Sequence, residues 1–233
     1  MIQAKRFWKS VGVAKFETGY GVTLDDRPVR TPAKADLHMP TRAAAELVAG
    51  EWSAVEDGID PNVMPATRWA NSAIDKVTPQ RSAVVDMLAD YGGSDLLCYR
   101  ATGPQRLIEE QAAAWDGPLD WARDRFDAPL VVTSGLVPVA QPEKSLSRLR
   151  AELDAFDPFG LAAVHDLVML SGSLVLGLLV AHQALDADSA WAASRVDEDW
   201  QARQWGEDQE AKEAAAAKQS DFLHAARFLA TLI

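Results

Sequence analysis

Along the first forty residues, apolar positions alternate with polar or small ones. Val11 and Val13 stand one residue apart, and Tyr20, Val22 and Leu24 repeat that spacing after Thr18-Gly19. This is the two-residue period of strands with one face buried. Asp25-Asp26-Arg27-Pro28 reads as a turn, and residues 29–31 as a further short strand stopped by Pro32. The head of the chain is expected to be a small antiparallel unit.

From Pro40 the period lengthens to that of a helix. Ala44, Ala45, Val48, Trp52 and Val55 share one face, with Thr41 placed as an N-cap. The pattern continues over 66–76 through Trp69, Ala70, Ala73 and Ile74, and Thr78-Pro79 reads as a cap and first residue of a helix running to about Asp90. Residues 105–126 are helical, with an interruption predicted at Gly117-Pro118, and the β-branched run LVVTSGLVPV (130–139) reads as one more strand. Leu146, Leu149, Leu153 and Phe156 mark an amphipathic helix. Residues 161–185 form the apolar centre, 189 to about 218 one long acidic helix, and Phe222, Ala225, Ala226 and Leu229 a last helix. The fold class is therefore α+β: a small N-terminal α+β domain over 1–60, then a larger, mainly α-helical domain over 61–233.

The most apolar stretch, LVMLSGSLVLGLLVA (167–181), is shorter than the ~20 residues of a membrane span. Ser171, Gly172 and Ser173 interrupt it, so it is either one buried helix or two helical pieces meeting at the small residues. No membrane insertion is expected. The N-terminus lacks the long apolar run of a secretory signal, which favours a bacterial cytoplasm, or a mitochondrial matrix if the source is eukaryotic.

Charge narrows the partners. The 233 residues include 34 acidic and 23 basic side chains, a formal net charge of −11. Without a compensating Lys/Arg cluster, such a surface repels a phosphate backbone, so nucleic acid is not expected as a partner. Cys98 is the only cysteine; it excludes an internal disulfide and a cysteine-based zinc site.

Chemistry is sparse. The chain has no glycine-rich phosphate loop, no GxGxxG after a strand and no GxSxG elbow. Cys98, between apolar neighbours in SDLLCYR, reads as buried rather than nucleophilic. His165-Asp166 resembles the dipeptide of metal-dependent phosphohydrolases, but that chemistry needs further ligands around an open site. Only His38, His182 and His224 remain, none in a ligand motif. The plainer reading places His165 and Asp166 near the start of the apolar helix, with Asp166 facing its positive end. No catalytic residue, metal, cofactor or small-molecule substrate is assigned, and a small hydrolase built on His165 and Asp166 stands as the alternative.

The segment VDEDWQARQWGED (196–208) sets two tryptophans among acidic side chains. On one continuous helix, Trp191, Glu198 and Trp205 recur every seventh residue and drift by only ~20° each time, so they share a face, with Arg195 one turn before Glu198. Asp197, Asp199, Glu207 and Asp208 keep the flanks charged, while Val196, Trp200 and Ala193 lie opposite. Tryptophan and arginine are favoured at interface hot spots, which makes this helix a candidate partner surface. In the competing reading Glu198 only pairs with Arg195 and both indoles pack inside.

Nine blocks in order carry a resemblance. They are FWKSV (7–11), YGVTLDDRPVRTP (20–32), Glu51-Trp52, MPAT (64–67), AID (73–75), SDLLCYRA (94–101), the spacing Trp115-Asp116-x-x-Leu119-x-Trp121, SGS (171–173) and Glu198-x-x-Gln201-x-x-x-Trp205-Gly206. From about Phe7 to Glu210 the chain resembles the ATP-twelve proteins of mitochondria and related bacteria, assembly chaperones of the ATP synthase soluble catalytic head that act on its alpha subunit. Gly117 stands where that family often carries proline.

The resemblance implies a non-enzymatic chaperone that binds the unassembled alpha subunit and masks the surface destined for the beta subunit. It implies the same two-part fold, and it matches Glu198 to the family's functionally important acid. Glu198, Gln201 and Trp205 are its partner-contact candidates; the helix reading adds Trp191 and Arg195. Trp52 is expected in the core, and Asp95 and Arg100 are expected to hold a junction between domains. A general holdase without a dedicated client is the further alternative.

Overall fold

The alternation at the head of the chain builds a four-stranded antiparallel sheet. Strand β1 (Val11–Phe16) pairs with β2 (Gly19–Leu24) in the register Val11↔Leu24 to Phe16↔Gly19. β2 also pairs with β3 (Arg27–Pro28) and β4 (His38–Met39). The third strand thus comes two residues before the predicted 29–31. Asp25 and Asp26 both hold positive φ (47° and 65°), so they form the whole hairpin turn and Arg27 already faces Leu24. The Asp25 carboxylate accepts from the backbone N–H of Ser10 at 2.9 Å and of Lys9 at 3.0 Å. Those bonds hold its carboxyl below the usual range.

This computed structural model describes residues 5–135, 137–206 and 208–233. The chain divides into two compact units: the chain up to Arg81 with Asp157–Ala163 and His224–Ile233, and Ser82–Phe156 with Val164–Leu223.

In the first unit, helix α1 (Arg42–Ala54) starts where predicted: the Thr41 hydroxyl accepts from Ala44 N–H at 3.1 Å and donates to the Thr231 carbonyl at 2.5 Å. Its buried stripe of Ala44, Ala45, Val48, Ala49 and Trp52 lies against β1 and β2, which places Trp52 in the core as expected. Helix α2 (Pro65–Ser72) has no cap of its own. Glu51 supplies one, its carboxylate accepting from Ala66 N–H at 2.7 Å, Thr67 N–H at 2.8 Å and the Thr67 hydroxyl at 2.6 Å. Burial holds the Glu51 carboxyl above its ordinary range against those bonds. The chain then winds through a π turn (Ala73–Val77) and a 3-10 turn (Thr78–Gln80) into α3 (Arg81–Asp90). Thr78 is therefore not an N-cap: its φ and ψ (−52°, −51°) are helical and its hydroxyl donates to the Ala73 carbonyl at 2.8 Å. Pro79 is tolerated because its missing N–H falls where the π turn hands over to 3-10 geometry.

The second unit is built on α4 (Gln105–Phe126), which runs unbroken through Pro118 rather than stopping at Gly117-Pro118. Proline removes one ladder bond, but Trp115, Leu119, Ala122 and Phe126 are buried on both sides of it and keep the two halves docked. Leu97, Cys98, Val175, Leu176, Leu179 and Ala193 pack around Trp115. Helices α5 (Glu143–Asp154) and α7 (Leu174–Ala181) belong to it, as does α6 (Pro158–Ser171) from Val164 onward. The apolar centre is thus two pieces: Gly172 takes φ +70° and the Ser173 hydroxyl caps α7 by accepting from Leu176 N–H at 3.1 Å. No helix among the described residues is long and apolar enough to cross a membrane.

Fully buried Asp95 accepts from Leu97 N–H and Val175 N–H, both at 3.0 Å. Burial raises its carboxyl pKa in spite of these bonds. Arg100 donates to the Leu97 carbonyl and to Asp116, each at 2.9 Å, and lies over the Trp115 ring. The partners of both residues lie inside the second unit, so they organise its interior rather than a domain junction. The predicted strand over 130–139 shrinks to β6 (Thr133–Ser134), parallel to β5 (Tyr99–Arg100); Leu136, within that predicted run, lies outside the described residues.

The long acidic helix is three helices: α8 (Ala187–Ser194), α9 (Val196–Trp205) and α10 (Gln209–Ala230). The first break has a visible cause. The Trp115 indole donates to the Ala193 carbonyl at 2.7 Å and the Ser194 hydroxyl to the Trp191 carbonyl at 2.7 Å, which takes acceptors away from the ladder. Gly206, at φ +93°, ends α9, and Asp208 starts α10 by accepting from Ala211 N–H at 2.8 Å. Glu207, predicted on the charged flank, lies outside the described residues.

Candidate functional site

The break at Arg195 separates the face predicted from a continuous helix. Trp191, on α8, is 6% exposed and packs on Phe222, with ring centroids 5.7 Å apart. Trp205, at the end of α9, is 80% exposed, whereas Trp200 is the buried indole of α9. Arg195 bridges the break: its guanidinium meets Glu198 at 3.0 Å and stands 5.9 Å from the Trp191 ring centroid. The expected Arg195–Glu198 pair therefore forms, with the Glu198 side chain half exposed. Trp191, Arg195 and Glu198 are brought together; Gln201 and Trp205 belong to a different feature.

That feature is an open groove of about 840 Å³. One wall is α9, which presents Asp197, Trp200, Gln201, Gln204 and Trp205, the i, i+3/i+4, i+7/i+8 stripe of a helix. Glu198 lies beside this stripe. The other wall is β5 and the loop to Pro104, with Leu107 and Gln111 from the first turns of α4. Buried Gln111 ties the walls together, accepting from Ala101 N–H at 2.8 Å and donating to Asp197 at 2.6 Å. Arg203, paired with Glu110, stands 5.6 Å from the Trp200 ring centroid and holds α9 against α4.

Gly135 also lines the groove, its N–H donating to the Arg100 carbonyl at 2.8 Å. It sits in a loop pinned by Gln141, whose side-chain amide accepts from Val131 N–H at 2.7 Å and donates to the Val131 carbonyl at 2.9 Å. This loop exposes Val131, Val132 and Val137, the last at 74%. The sequence reading missed the valine loop and the wall over 99–104. The signals were present: Ser134-Gly135 and Pro138 break the β-branched run, and a broken run of valines is poor strand but good apolar loop.

The alternative chemistry does not assemble. His165 and Asp166 are neighbours at 2.8 Å on α6, past its midpoint. The positive end of that helix is served instead by Asp157, which accepts from Gly160 N–H at 2.7 Å. No group of three or more potential metal-ligating side chains converges among the described residues. Fully buried Cys98 has its thiol pushed up to about 12 by burial and by Asp95, so it stays protonated near neutrality.

Comparison with known proteins agrees on one family. A model of the ATP12 chaperone protein matches residues 5–123. Atp12 from Paracoccus denitrificans is 52% identical over 99% of both chains, with a TM-score of 0.95. A point mutant of P. denitrificans Atp12p is 51% identical over 99% of this chain and 98% of that one, also at 0.95. A protein from Agrobacterium tumefaciens, described as a candidate chaperone, is 40% identical over 98% of this chain and 86% of its own, at 0.94.

Proposed function

The chain belongs to the ATP12 chaperone family, and from that premise we propose that it is an assembly chaperone of the ATP synthase soluble catalytic head. It binds the unassembled alpha subunit and masks the face that later meets the beta subunit. The observation that carries this reading is Trp205, an indole 80% exposed at the rim of a mostly apolar groove. A soluble chain seldom leaves so large an apolar side chain in water beside further apolar surface unless a partner covers it.

The contact surface is α9: Trp205 as the aromatic anchor, Gln201 as its polar neighbour and Glu198 as the charged rim. Arg195 holds Glu198 in place, and Trp191 is the buried support beneath Arg195. Rim charge contributes more to encounter rate and selectivity than to affinity. That suits a chaperone which must protect its client and then release it to the true neighbour. The bacterial cytoplasm or the mitochondrial matrix, where subunits are assembled, is the compartment this role requires, and catalysis is not part of it.

The test is a displacement experiment. The protein and freshly refolded alpha subunit, mixed without nucleotide, should elute together from a sizing column. Added beta subunit should release the chaperone as alpha–beta complex appears. Co-elution that beta cannot disrupt would sink the masking mechanism, and no co-elution would sink the client assignment.

A further inference from the structure

Four features converge on the groove beside α9. Its lining is largely apolar and it is open to solvent, unlike the enclosed pockets that small ligands favour. Gln201 and Gln204 are exposed on its wall and make no side-chain hydrogen bond among the described residues. Each offers a donor and an acceptor one helical turn apart. Its charge is one-sided: Asp197 lines it with one carboxylate oxygen engaged by Gln111. The lining cation, Arg100, is buried and already committed to Leu97 and Asp116. Finally, its rim carries an exposed apolar side chain, Trp205 on α9, with Leu96 and Leu107 in the lining.

We propose that this groove binds an extended segment of the client in which an apolar side chain lies next to a lysine or arginine. The apolar side chain packs against Trp205, Leu96 and Leu107, and the basic one pairs with Asp197. The Gln201 and Gln204 amides hydrogen-bond the segment's main chain, a mode of recognition that tolerates sequence variation away from the two anchors. The net charge of −11 favours a cationic segment by steering its approach. The proposal rests on the chaperone reading and adds the chemistry of the segment that is held. It also separates two roles on α9: Glu198 stands on the rim, whereas Asp197 stands inside.

Because Cys98 is fully buried with its thiol raised, Thr102→Cys in the full chain, at an exposed lining position with no assigned contact to the segment, provides a single reactive thiol for a benzophenone maleimide. The labelled protein, with an unchanged thermal midpoint, is irradiated in complex with the alpha subunit and the adduct is mapped by mass spectrometry. The expected result is one contiguous alpha-subunit segment with a basic residue adjacent to an apolar one. A fluorescent synthetic peptide of that segment should bind the full chain, and Asp197→Asn, which keeps the acceptor for Gln111, should weaken it about tenfold at low salt and less at high salt. Adducts scattered over the client, adducts to a second copy of the chaperone, or an Asp197→Asn affinity equal to the parent would each overturn the proposal. If the parent chain keeps the alpha subunit soluble while position 102 captures nothing, the groove assignment falls and the chaperone reading stands. If the alpha subunit is not kept soluble at all, both fall.

Discussion

Truncating Trp205 to alanine separates a partner surface from a structural one more sharply than any other single change. An indole offers roughly 150–250 Å², and 80% of this one is exposed, so a partner can still cover about 150 Å² of it. At ~25 cal/mol/Å² that is about 4 kcal/mol of gross stabilisation on binding. Immobilising the side chain and desolvating its N–H offsets about 1 kcal/mol or somewhat more. About 2–3 kcal/mol remains, a loss of roughly 30- to 150-fold in affinity for the alpha subunit. Because the indole makes little contact with its own chain, folding stability should move by no more than ~0.5 kcal/mol. Trp200→Ala is the internal control: that indole is 9% exposed, and its removal should destabilise the fold by ~3 kcal/mol or more. Calorimetric titration against the alpha subunit, with a denaturant melt of each variant, reads both quantities. A Trp205→Ala protein that binds as the parent does, or that melts as early as Trp200→Ala, would refute the reasoning.

Three further variants probe different links. Glu198→Lys should weaken client binding while costing at most ~1 kcal/mol of stability, since it removes a half-exposed ion pair and sets a cation in the first turn of α9; a large fall in thermal midpoint would return Glu198 to a purely structural role. Glu51→Ala strips the borrowed cap from α2 and should lower unfolding free energy by ~1–2 kcal/mol in a urea melt, and a change within error would show that Ala66 and Thr67 find other acceptors. Asp25→Asn tests a pH dependence. Its carboxyl is held below the ordinary 3.8 by Ser10 and Lys9, so its contribution is present above that value and is lost as pH falls through the lower folded one. The gap in thermal midpoint between parent and variant should be widest near neutrality and close in acid; a gap that widens in acid would reverse the assignment.

The pattern of the sequence predicted what depends on neighbours along the chain. Thr41 capped α1, the strands at 11–16 and 19–24 followed their alternation, and the two-piece alternative for the apolar centre held because Gly172 and Ser173 carry stop and start signals together. What failed depended on groups far away. The long acidic helix looks continuous on propensity alone; it breaks where Trp115, 78 positions earlier, takes the Ala193 carbonyl. Pro118 looks like a stop and is overridden by burial on both sides of it. The same long-range dependence hid the groove. Its second wall is β5, held by a parallel pairing with β6, and no local pattern announces a two-residue parallel pair. Of the candidate site, the Arg195–Glu198 pair was legible because it is local, whereas the opposite fates of Trp191 and Trp205 followed from the break.

The central claim is selective protection of one client, and right-angle light scattering measures it directly. Freshly diluted ATP synthase alpha subunit is followed with and without this protein, beside an unrelated aggregating protein as control. Suppression of alpha-subunit aggregation at near-stoichiometric ratio and without nucleotide, with the control unaffected, is the predicted result. Equal suppression of both would make the protein a general holdase, and no suppression of either would contradict the account.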